Sequence, residues 1–285
     1  VPDIIHAHVF TVARAAWAIA RYLDVPWFLT EHSSAFHRGL ASRRQIRKAS
    51  RYLQRAHRVL PVCHFLKEAM EVRGIKTQFS VVPNAVDTKI FFPVSARTTG
   101  GFRFLIVALQ TEVKGIPDLI KASAMLSMRT TVEWSLDLVG DGPERGRYEA
   151  LAAQLGISGR LRFLGLRTKS EVASLMRQSH AFVLSSHAEN HPVVLLEALA
   201  SGLPVVATRV GGIPEIIGPK EGYLVPPGRP EELARAMGMM LQRAGEFNAG
   251  ELARNAASRY GLEPVGRQIH EFYEAALAEK TSSHA

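Results

Sequence analysis

Short apolar runs rich in β-branched and aromatic residues alternate along this chain with segments of helical period, and that alternation limits the fold most. The candidate strands are 3–7, 27–31, 57–62, 78–82, 102–108, 134–140, 160–165, 181–185, 204–208 and 222–226. Helical patterns fall between most of them, at 12–23, 42–55, 64–73, 115–127, 143–155, 169–178 and 193–201, and the chain closes on helices at 230–243, 247–258 and 264–279. Strand, helix, strand at this spacing predicts parallel sheets built from βαβ units. The expected class is therefore α/β, with two Rossmann-like parallel-sheet lobes.

The stretch 83–101 is rich in turn residues and lacks periodicity, so it reads as a linker. It divides the chain into an N-terminal lobe, 1–93, and a second lobe, 94–263. The first lobe offers only four strands and opens at Val1 inside an apolar run, without a methionine. We expect it to be incomplete at its N-terminus.

Composition excludes several classes. At 285 residues, 47% hydrophobic and 21% charged, the chain is neither disordered nor fibrous. The single cysteine, Cys63, cannot close an internal disulfide, which fits a reducing, cytoplasmic location. No apolar run reaches the roughly 18 residues that would suggest a membrane span.

The net charge of +9 is unevenly placed. Residues 1–93 hold 14 basic and 6 acidic side chains, and 38–58 hold eight cations and no acid. The helical pattern there sets Ile46, Ala49, Leu53 and Ala56 on one face with arginines around them. Such a helix can lie on an anionic membrane surface. Nucleic acid is not expected as a partner, because the basic run has little interleaved aromatic character beyond Tyr52.

In open parallel sheets, ligands bind beyond the carboxyl ends of the strands. His6 and His8 close the first strand, Glu31 and His32 the second, and Asn84 follows the fourth. The strongest pattern is 185–217, SSHAENHPVVLLEALASGLPVVATRVGGIPEII. Pro192 suits a first helical position, so a helix begins just after Glu189 and carries Glu197 in its second turn. Its free N-terminal N–H groups favour phosphate, and a carboxylate in its body can accept hydrogen bonds from a ribose diol. No metal is expected, since neither a histidine–carboxylate cluster nor Asp-x-Asp is present.

The block Glu189 to Glu197 followed by EALASGLPVVAT and GGIPEII resembles the E-x7-E region of the retaining glycosyltransferases of family 4, which have the GT-B architecture. The resemblance runs in order along the chain, through DIIHAH, FLTEHSSAFHRG, VVPNAVDTKIFFP, VKGIPDLIKA, LVGDGPER and GYLVPPGRPEELARAM. It implies transfer of a hexosyl group from a nucleotide diphosphate sugar, UDP by family frequency, to an acceptor hydroxyl with retention. A cell-envelope polysaccharide or glycolipid pathway, a saccharide or lipid-linked acceptor and peripheral attachment to the cytoplasmic membrane face would follow.

By the same resemblance, Lys114 would contact the diphosphate, Glu197 the ribose and Glu189 the transferred sugar. The backbone at His191, Val193 and Val194 would approach sugar and phosphates beside Pro192. Leu164 and Gly165 would lie near the base, and His8 and His32 would face the reacting centre. The last helix, within 264–285, would pack back on the first lobe. The chain departs from the family pattern at Leu109, where a second diphosphate-binding Arg is usual, at Asn190-His191 in place of Gly-Phe, and at Arg229 in place of an acid. These departures leave open a second reading, a non-catalytic GT-B relic that binds a sugar nucleotide or scaffolds a complex.

Overall fold

A computed structural model describes residues 2–94 and 100–283. The chain divides into two compact units, 1–84 with 262–285, and 85–261.

In the first unit the elements are β1 (Ile5–His8), α1 (Ala13–Leu23), β2 (Trp27–Glu31), α2 (Arg43–Leu53), β3 (Arg58–Pro61) and α3 (His64–Val72). The strands form a parallel sheet of order β1-β2-β3, with Ile5 opposite Trp27 and Glu31 opposite Pro61. Its core gathers Trp27, Leu29 and Val59 from the sheet with Ala16, Ile46, Leu53 and Leu66 from the helices. The expected strand over 78–82 is reduced to a single bridge, Phe79 to Val59. The Val59 amide donates to the Gln78 carbonyl, and the Ser80 and Val82 amides donate to the Val59 and Pro61 carbonyls, but Pro61 has no N–H to return a bond, so the pairing stays a single bridge.

The second unit contains β4 (Phe102–Val107), α4 (Ile116–Arg129), β5 (Trp134–Val139), α5 (Arg145–Gln154), β6 (Leu161–Gly165), α6 (Lys169–Gln178), β7 (Ala181–Leu184), α7 (Val193–Ala200), β8 (Val205–Thr208), α8 (Ile213–Ile216), β9 (Gly222–Val225), α9 (Pro230–Arg243) and α10 (Ala249–Tyr260). Its six strands are parallel, in the order β6-β5-β4-β7-β8-β9. The strand order reverses between β4 and β7, which is where an open sheet leaves a crevice for a ligand. All four strand residues of β7 and of β8 are buried, as expected for a sheet covered on both faces.

The final helix, α11 (Leu262–Ser283), belongs to the first unit. Tyr273 hydrogen-bonds His6, and Arg58 lies over the Phe272 ring. Both unit boundaries differ from the expected 93/94 and 263/264. Val86 and Phe91 are buried in the core of the second unit, so the chain enters that unit before the turn-rich stretch ends. Residues 95–99 of the expected linker lie outside the described residues.

Candidate functional site

The crevice of the second unit is a cleft of about 360 Å³ at the carboxyl ends of its strands. Leu109 and Lys114 reach it from the loop after β4, and Gly140 from the end of β5. Glu189 and Pro192 come from the loop after β7, and Val193 and Val194 from the first turn of α7.

Two loops 75 residues apart in sequence are stitched together here. Lys114 Nζ donates to Glu189 Oε1 at 2.6 Å, and the Ser186 hydroxyl donates to the same oxygen at 2.8 Å. The His187 amide donates to the Val113 carbonyl at 2.8 Å, and the Ser185 hydroxyl to the Lys114 carbonyl at 2.9 Å. Gly115 has φ +60°, and a Cβ there would collide with the Ser185 carbonyl. Only glycine lets the loops approach so closely. Gly211 does the same from behind: its φ is +56°, and a Cβ would strike the Glu189 carbonyl. The Gly-Gly turn after β8 therefore buttresses the loop that carries Glu189, aided by the Gly212 amide donating to the Asn190 carbonyl at 2.8 Å.

The other expected donor-site residues divide into two groups. Val193 and Val194 begin α7, where backbone N–H groups have no intrahelical acceptor. Glu197 is half-buried one turn on, and burial raises its carboxyl above the ordinary range while Lys169 opposes the shift. Glu197 does not line the cleft. The His191 ring is buried edge-on against Tyr260 at 5.5 Å, so it presents backbone only. Burial, with Arg259 nearby, holds that imidazole down at about 4.

Leu164 is half-buried and packs against the hydrophobic core, and Gly165 ties β6 to β5 by accepting from the Gly140 amide at 2.9 Å. Neither lines the cleft; the next two residues, Leu166 and Arg167, do. Leu109 is 60% exposed on the cleft wall and is not a core residue. His187 is engaged with Asp118 at 2.7 Å, and Arg209 lines a different cavity. Arg167 is thus a cleft cation that sequence reasoning missed. It lies two residues past the end of β6, and strand-end position was the available signal.

The first unit has its own polar cluster at the carboxyl ends of β1 and β2. The His6, His8 and His32 rings stack in series, with centroids 5.0 Å and 5.3 Å apart. His32 Nδ1 lies 3.0 Å from Asn84 Oδ1, and His8 Nδ1 lies 3.0 Å from His32 Nε2. An amide oxygen can only accept, so His32 Nδ1 carries a proton. Neutral His32 then accepts at Nε2, His8 donates from Nδ1, and the His8 Nε2 lone pair is left on an exposed residue.

Burial lowers the His32 imidazole, and it holds His6 at about 4 with help from His8 and His32. Beneath them, Glu31 accepts from the amides of Ser33 at 2.6 Å and Phe10 at 2.7 Å, yet burial still lifts its carboxyl to about 7. Val9, directly after His8, has φ +62°, which is strained for a β-branched residue. Strain of this kind concentrates at functional sites. Among the described residues, no three of His, Cys, Asp and Glu converge to hold a metal ion, and no helix is long and apolar enough to cross a membrane.

A family model described as Glycosyl transferases group 1 matches residues 87–258, and one described as Glycosyltransferase Family 4 matches residues 2–90. The chain is 29% identical to the D-inositol 3-phosphate glycosyltransferase of Corynebacterium jeikeium, over 95% of this chain and 72% of that protein. It is 30% identical to the glycogen synthase of Mycobacterium tuberculosis, over 96% and 69%. For the MMP α-(1→4)-mannosyltransferase of Mycolicibacterium hassiacum the figures are 32% identity, 70% and 49%, so the chain spans half to three quarters of these relatives.

Among solved structures, Anabaena HepE in complex with UDP superposes with a TM-score of 0.86 at 21% identity, covering 96% of this chain and 79% of that one. The sucrose-phosphate synthase of Thermosynechococcus elongatus gives 0.84 at 24%, covering 97% and 74%. At these identities the superpositions establish the GT-B fold. Since the group 1 model covers more than half of its length, the chain belongs to the group 1 glycosyltransferases, with the GT-B fold of the family 4 kind.

Proposed function

We propose that the chain transfers a hexosyl group from a nucleotide diphosphate sugar, with UDP as the nucleotide, to an acceptor hydroxyl with retained anomeric configuration. The observation that carries this reading is the meeting of Lys114 and Glu189 where the strand order reverses, beside the first turn of α7. A departing nucleoside diphosphate gains charge, and a preorganised cation with free helix amides stabilises it. Lys114 and the Val193 and Val194 amides take the diphosphate, Glu197 the ribose hydroxyls, and Glu189 the hydroxyls of the sugar. His8 presents its Nε2 lone pair to the acceptor hydroxyl, with His32 and Asn84 fixing its tautomer. The reaction needs no metal cofactor.

The acceptor is a saccharide or lipid-linked saccharide of the cell envelope, and the protein works in the cytoplasm. The cations of 38–58 draw the first unit to an anionic membrane face. A specific observation keeps a second reading in play: Leu109 stands on the cleft wall where the family pattern has an arginine, which suits a relic that binds a sugar nucleotide without turnover. The test is nucleoside diphosphate release from UDP-, GDP- and ADP-hexoses, alongside binding of each nucleotide. Release of UDP supports the enzyme; binding without release supports the relic; absence of both overturns the site.

A further inference from the structure

The first unit holds a second polar groove that the donor reading does not use. It lies between α2 and the end of α3 and has a volume of about 680 Å³. Arg43, Arg47 and Arg51 line one wall, at successive intervals of four residues along one row of α2, and Arg73 lines the other. No acidic residue lines it. Among the described residues, none of these four arginines forms an ion pair. Beside them lie Ile46, which is buried, and Val72, which is 86% exposed.

This arrangement is unfavourable for the helix alone. Arginines four apart repel, and Arg43 sits in the first turn, at the positive end of the helix dipole with no acid beside it. The Ser42–Gln45 capping box holds the helix in place against that repulsion. Four unpaired planar guanidiniums around one concavity match an anion with several oxygens, and phosphate accepts from each fork bidentately.

We propose that this groove is a binding site for a phosphate-bearing anion. Lipid headgroups and free phosphate esters share that chemistry. The site is narrower than the membrane attraction of 38–58, because it depends on particular guanidiniums and not on summed charge. It shares no residue with the donor cleft.

The test uses four proteins: wild type, Arg47→Gln/Arg73→Gln, the charge-matched control Lys121→Gln/Arg129→Gln, exposed on α4 outside residues 38–58, and Lys114→Ala. Each is titrated with inorganic pyrophosphate at one ionic strength, and each is sedimented with phosphatidylcholine vesicles with and without phosphatidic acid. The groove pair should weaken binding about tenfold or more in whichever arm binds. The control pair and Lys114→Ala should leave that component intact. A signal with pyrophosphate identifies a soluble source, and one with phosphatidic acid alone identifies a lipid headgroup. The proposal is overturned by no binding in either arm, by equal loss in the two double variants, or by loss only in Lys114→Ala, which would leave the donor cleft as the sole phosphate site.

Discussion

Lys114 Nζ and Glu189 Oε1 lie 2.6 Å apart, joining the loop after β4 to the loop after β7 across the point where the strand order reverses. The two side chains proposed to contact the diphosphate and the sugar therefore hold each other. The pair is mostly shielded from water, so each partner limits what the other can offer a ligand.

Glu189→Gln should consequently do two opposite things. Freed of its carboxylate, Lys114 should bind UDP about two- to fivefold more tightly, in line with a partly exposed ion pair. Turnover of the intact sugar nucleotide should fall at least about tenfold. Calorimetry with UDP and a rate assay separate the effects, and a loss of UDP affinity would contradict the assignment of Glu189 to the sugar.

Leu109→Arg should place a second cation on the cleft wall. The side chain is 60% exposed, so the change should cost within about 0.5 kcal/mol of stability while tightening UDP binding by about tenfold. Arg167→Gln should weaken the same binding. Both are read by titration at fixed ionic strength. If Leu109→Arg leaves affinity unchanged, the diphosphate does not lie beside that wall.

Asn84→Asp tests the histidine relay. A carboxylate next to His32 Nδ1 stabilises the imidazolium, so the acid limb of the pH–rate profile should move up by about one unit. Asn84→Ala should lower kcat with the donor KM unchanged. An unshifted acid limb in Asn84→Asp would show that His32 and His8 do not carry the proton.

Stability should depend on pH with a definite sign. His6 is held at about 4 against an ordinary 6.5, so in that window the unfolded chain binds a proton that the folded chain does not. Stability therefore falls as pH drops from 6.5 toward 4, and His191 acts in the same direction. Glu31, lifted from 4.5 to about 7, acts oppositely: its contribution is complete below 4.5 and is lost as pH rises toward 7. Urea unfolding across the window should show a shallower acid loss for His6→Gln than for wild type, and a steeper one for Glu31→Gln. The reverse ordering would contradict the burial of these groups.

Much of this was legible in sequence because parallel sheets write it plainly. The strands from Phe102 to Val225 are near-continuous apolar runs, and residues after β4, β6 and β7 and at the end of β5 line the cleft. What stayed hidden is long-range. Nothing local announces that Lys114 pairs with Glu189, or that Gly211 supports the Glu189 loop from the next strand connection. Asp137 sits in an apolar run, and only the neighbouring strand reveals its bidentate partner Arg162, with both contacts at 2.6 Å. The run 78–82 has strand composition, yet Pro61 on the neighbouring strand has no N–H to give it, and the pairing stays a single bridge. Leu164 and Leu166 are indistinguishable by type, and the sheet geometry alone packs one against the core and sends the other, 68% exposed, to the cleft.

The central claim is that the cleft beside α7 holds the diphosphate of a nucleotide sugar, and Lys114→Ala tests it most directly. UDP titrated by calorimetry into wild type and variant at one ionic strength should show a loss of about 10²-fold in affinity, because removing a charge-assisted contact to phosphate costs about 1.5–3 kcal/mol and Leu109 offers no replacement cation. Equal affinity in the two proteins would contradict the account and move the nucleotide elsewhere.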